Sequence, residues 1–68
     1  MNWIKPSDEL PKVGEDVLIW FHAEPESYAR VAYFSTDGIW MGDQGETLHY
    51  RDVARITHWA RIEPPADG

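Results

Sequence analysis

Proline and glycine interrupt this chain so often that a long helix has no room. Pro6, Pro11, Gly14, Pro25, Gly38, Gly42, Gly45, Pro64 and Pro65 cut 68 residues into short runs. Few of those runs hold a helix of about ten residues, whereas strands of five or six fit well. The residues between the breakers are largely β-branched and aromatic, the types that suit a pleated, half-buried backbone. The pattern predicts an all-β, mainly antiparallel fold: a small curved sheet of four to five strands, or an SH3-like barrel closed to protect its edges, with at most one short helical turn.

Asp16 to His22 is the clearest strand. Val17, Ile19 and Phe21 point to one face, and Leu18, Trp20 and His22 to the other. Apolar residues at both parities mark it as central. A polar loop, His22 to Ser27, precedes a second strand, Tyr28 to Phe34. Asp37-Gly38 is a strong turn signal, so a hairpin leads into Ile39-Trp40-Met41. Gly42 to Glu46 is another turn, and Thr47 to Tyr50 a brief strand. Arg51 to Ala54 is either one helical turn or a loop. Arg55 to Ile62 is the last strand, with Ile56, His58, Ala60 and Ile62 on one parity and Thr57, Trp59 and Arg61 on the other. Trp3-Ile4 looks like a short strand. Ser7 is placed to cap a tight turn that brings Leu10 under the sheet.

Residues 1–68 make a single small domain, with 63–68 a flexible tail. So short a chain buries a modest fraction of its surface. Four Trp, three Tyr and two Phe compensate, since each large ring can remove roughly 150–250 Å² from water. The absence of cysteine excludes disulfides and thiolate metal sites and fits a reducing compartment. No run approaches the roughly 20 apolar residues that span a bilayer. The opening Met1 to Pro6 lacks a basic region followed by an apolar one, so a cytoplasmic location is expected.

The net charge of −6 is unevenly spread, with nine acids between Asp8 and Glu46 against Lys12 and Arg30. Binding to phosphate backbones depends on basic residues, so direct nucleic-acid binding is disfavoured. An acidic surface instead suits a basic protein partner, or serves solubility alone.

The landmarks also form a recognisable set: W-I-K-P-S-D-E-L-P (Trp3 to Pro11), V-G-E-D-V-L-I-W (Val13 to Trp20), R-V-A-Y-F (Arg30 to Phe34), D-G-I-W (Asp37 to Trp40) and I-T-H-W-A-R-I-E-P-P (Ile56 to Pro65). Together they resemble a short family, mostly from phages, prophages and bacteria, catalogued as domain of unknown function 551. The resemblance covers Trp3 to Pro65. Pro6 and Ser7 depart from the apolar and small polar residues usual there, and Ala60 to Glu63 replaces a more apolar ending. The resemblance implies a phage or prophage accessory protein and carries no established activity.

Candidate sites follow from residue chemistry. His58 has no evident nucleophile to activate, and His22, His49 and His58 lie on separate segments without tight metal-ligand spacing. A half-buried structural histidine, bonded to a carbonyl or carboxylate, is the simpler reading. The neighbouring Asp8 and Glu9 need not converge on one bond, as a catalytic pair must. Gly42 to Glu46 lacks the alternating oxygen ligands of a calcium loop. No catalytic residue, cofactor or metal is therefore expected. Trp40, beside a hairpin turn, is the expected exposed anchor of a protein interface, surrounded by Asp37, Asp43, Glu46, Glu24 and Glu26. The preferred reading is a non-catalytic protein-binding module that acts on a host or phage protein, for instance a basic defence protein. The alternatives are a small-ligand or enzymatic pocket lined by Trp20, His58 and Trp59, and a structural or self-associating role.

Overall fold

The breaker pattern yields five short elements: β1 (Val17–Phe21), β2 (Tyr28–Phe34), β3 (Trp40–Gly42), α1 (Tyr50–Val53) and β4 (Ile56–Arg61). The computed structural model describes residues 2–63. Of the expected tail, Glu63 is irregular and exposed, and 64–68 lie outside the described residues.

The strands form one antiparallel sheet in the order β3-β2-β1-β4. β1 is central, as its two apolar parities require. It pairs with β2 from Val17↔Ala32 to Phe21↔Tyr28, and with β4 on its other side. The β2–β3 turn closes through the Gly38 N–H donating to the Ser35 carbonyl at 3.0 Å. Gly38 has φ +76°, a conformation that favours glycine.

The sheet does not close into a barrel: β3 and β4 remain at opposite edges. β3 is only three residues long, and the chain after it crosses one face of the sheet to reach the far edge. Leu48 is buried in the core on that path and Val53 packs against it. Single bridges cover part of each edge. Ile4 and Trp59 exchange backbone hydrogen bonds of 2.7 and 2.8 Å beside β4. Thr47 bridges Met41 beside β3. These bridges are what remains of the strands expected at Trp3-Ile4 and at Thr47 to Tyr50; Tyr50 instead begins α1.

Directly opposed residues of an antiparallel pair project to the same side of the sheet. One side carries Val17, Ile19, Phe21, Ala32, Trp40, Ile56 and Trp59, all of them in the buried cluster. Ile56 belongs there because β4 contains a β-bulge. Phe21 faces Ile56 while Trp20 faces His58, so Thr57 is an extra residue. The strict alternation expected for β4 would have put Ile56 with His58. The bulge resets the parity and buries both Ile56 and Trp59, as such insertions do by bending the strand.

The N-terminal turn also differs from expectation. The Lys5 carbonyl accepts the N–H groups of Asp8 and Glu9 at 2.9 and 3.2 Å; among the described residues no Ser7 side-chain bond caps the turn. Leu10 is 49% exposed and does not seal the sheet. The segment is instead pinned by Trp59, whose Nε1–H donates to the Glu9 carbonyl at 2.8 Å, and by an Arg61–Glu9 ion pair at 3.2 Å.

Candidate functional site

The second side of the sheet is built from Leu18 and Trp20 of β1, opposed by Val31 and Ala29 of β2 and by Ala60 and His58 of β4. Tyr33 and Met41 form the next pair outward. These positions contain no Asp, Glu, Lys or Arg, although the chain has 18 such residues. The first side, by contrast, carries Arg30 opposite Ile19 and Arg61 opposite Val17. Leu18, Val31, Tyr33 and Met41 are half-buried. Trp20 is 38% exposed, and Trp3, next to the Ile4 bridge, is 39% exposed.

Trp3 and Trp20 meet edge to face, with ring centroids 6.0 Å apart and planes at 65°. With Thr57 and His58 they line a cleft of about 430 Å³. The β4 bulge assembles this cleft: it holds His58 in register with Trp20 and turns Thr57 outward. His58 Nδ1 lies 3.0 Å from Thr57 Oγ1, with the donor set by the imidazole tautomer. The bonding partner expected for His58 was a carbonyl or carboxylate; it is a hydroxyl of the adjacent residue. His58 is half-buried.

The expected interface residues are not brought together. Trp40 is 5% exposed and packs edge to face on Phe34 with centroids 5.3 Å apart. It is a core residue, because β3 turns its ring to the covered side of the sheet. Asp43 and Glu46 are engaged within the chain: Arg30 Nη2 lies 3.9 Å from Asp43 and 3.1 Å from Glu46. The Glu46 carboxyl is held below its ordinary 4.5, first by its own backbone N–H and then by the backbone N–H of Gln44 and the Arg30 guanidinium, against desolvation. Gly42 has no side chain to obstruct this pair; a Cβ there would collide with the Glu46 carboxylate and lie 2.8 Å from Arg30 Nη2. Asp37 sits in the β2–β3 turn, at the opposite end of β2 from Glu24 and Glu26 in the β1–β2 loop. All three are exposed.

The expected Trp/His pocket is partly realised. Trp20 and His58 line the cleft, whereas Trp59 is fully buried on the other side of the sheet, under the Arg61 guanidinium. The place of Trp59 in that pocket is taken by Trp3. Sequence reasoning passed over Trp3, since its position depends on Ile4 pairing with the far end of the chain. The three histidines stay on separate segments; His22 Nδ1 lies 3.2 Å from Ser27 Oγ. Among the described residues no three His, Cys, Asp or Glu side chains gather as a metal site, and no helix is long and apolar enough to cross a membrane.

Fold and site together define a small open β-sheet domain with one covered face and one uncharged aromatic face. Residues 2–66 match the model of the family described as Protein of unknown function (DUF551), and the chain belongs to that family. No curated protein and no solved structure matches it.

Proposed function

We propose that the chain is a non-catalytic protein-binding module, an accessory protein of phage or prophage origin that acts by occupying a surface of another protein. The observation that carries this reading is the uncharged face around Trp3 and Trp20. Interface cores are depleted of charge and enriched in Trp, Tyr and Met, the composition of this face. Anchors of binding energy are commonly Trp residues at the centre of such a patch. The face thereby replaces Trp40 as the anchor. The origin rests on the family, and the absence of catalysis on His58, whose recorded bond is to its chain neighbour Thr57.

The net charge of −6 fits a partner with a basic surface. Basic host proteins that bind nucleic acid, defence proteins among them, belong to that class, and such a partner places the action in the bacterial cytoplasm. The test is affinity capture from bacterial lysate, with and without phage infection, at low and moderate salt. A discrete basic protein should be recovered at low salt with the native chain and lost with Trp3→Ser/Trp20→Ser. Capture by the double variant at native strength would overturn the reading.

A further inference from the structure

We infer that the cleft lined by Trp3, Trp20, Thr57 and His58 is a seat for an arginine side chain of the partner, an inference that rests on the binding reading above. Three observations and one general property lead there. The two indoles touch edge to face, 6.0 Å apart at 65°, and both border the cleft beside Thr57 and His58, so aromatic surface lines it. Indole walls attract cations through the ring quadrupole, Trp more strongly than Tyr or Phe. Among the described residues, the two arginines that lie over rings use others, Arg61 over Trp59 and Arg51 over Tyr50. Finally, β1 is bracketed by exposed acids. Asp16 precedes it, and Glu24 and Glu26 follow it in the loop beyond the Trp20↔Ala29 pair. No ion pair engages these three among the described residues, unlike Asp43, Glu46 and Glu9.

The chemistry selects arginine among cations. Its guanidinium is planar, weakly hydrated and able to stack on an aromatic face while its N–H groups bond carboxylates. Its alkyl stem covers apolar surface on the way in. A second copy of this chain is a poorer occupant, since each copy carries −6 and like charges oppose association. Two of the acids expected at an interface, Glu24 and Glu26, thus keep that role from the exposed loop that follows β1.

The test uses the ¹⁵N-labelled full chain and the indole Nε1–H signals of its four tryptophans. The probes are a capped glycine-spaced peptide bearing two arginines and its citrulline counterpart, which keeps the shape and removes the charge. Arginine should shift the Trp3 and Trp20 signals saturably and leave those of Trp40 and Trp59 in place. Citrulline should bind about tenfold more weakly, and Glu24→Gln/Glu26→Gln should flatten the salt dependence. Equal binding of the two peptides, or no shift at millimolar arginine peptide, would overturn the inference. So would a concentration-dependent dimer that occupies the cleft, read from sedimentation and from shifts on dilution. If arginine fails here while Trp3→Ser/Trp20→Ser still abolishes partner capture, only the arginine seat falls. If the double variant captures normally, the binding face falls with it.

Discussion

Both sides of this sheet carry tryptophans, and the two sides do different work. Trp59 and Trp40 on one side are buried in a cluster that Leu48 of the β3–β4 connection joins, and Trp59 bonds the Glu9 carbonyl of the N-terminal segment. Trp20 on the other side, with Trp3 against it, remains more than a third exposed. What separates the rings is coverage, which the connection between edge strands, the N-terminal segment at Glu9 and Arg61 supply to one side only. A large apolar residue is thus evidence of core or of interface according to which side of its strand it occupies. In so small a domain, an uncovered aromatic side is a departure from the simplest stable arrangement, and departures of that kind gather at functional sites.

The contrast can be broken hardest at Trp59. Trp59→Ala removes a fully buried ring and its bond to the Glu9 carbonyl, and should cost about 3–5 kcal/mol, enough to unfold much of the population at 25 °C. Urea denaturation followed by circular dichroism reads this. Ile56→Ala truncates a buried side chain that the bulge places on the covered side. It should cost about 2–5 kcal/mol, and the same denaturation curve measures it. Gly42→Ala displaces the Glu46 carboxylate from Arg30, a flexible group that can yield, so a loss of about 1 kcal/mol is expected. Trp20→Ser should change stability by less than about 1 kcal/mol, as for a surface position, while abolishing partner binding. A Trp20→Ser protein as unstable as Trp59→Ala would erase the distinction between the sides.

The smallest effect lies at Glu46. Its folded pKa is depressed, so its contribution is present above the unfolded value and is lost as pH falls through the folded one. Stability of the native chain should therefore decline on acidification from about pH 5 downward partly through this group. Glu46→Gln should lack that component, giving a shallower decline of melting temperature with falling pH. The two profiles should differ most below the ordinary carboxylate range, and identical slopes would remove Glu46 from the account.

Much of the fold was legible because it is local. Tyr28 to Phe34 is a strand by composition, Asp37-Gly38 closes a turn by backbone conformation, and the two apolar parities of Val17 to Phe21 mark a central strand. The features that were not legible are those decided across the chain. The Thr57 bulge leaves no mark in the alternation of Ile56 to Arg61, yet it decides which side Ile56 occupies. Leu10 and Leu48 look alike as apolar residues near turns, but only Leu48 lies on a segment that crosses the core. Asp43 and Glu46 read as free surface acids until β2 brings Arg30 beside them. The cleft needs Trp3, and Trp3 is placed by Ile4 bonding to Trp59 at the other end of the chain.

The central claim is that one side of the sheet holds the fold and the other meets the partner. Site-specific photocrosslinking tests it most directly. A photoreactive phenylalanine is placed at position 20, and separately at position 50, where Tyr50 is 79% exposed and off the sheet. Each protein is expressed in bacterial cells and irradiated. The account predicts a discrete protein adduct from position 20 and none from position 50. An adduct from position 50 alone would contradict it.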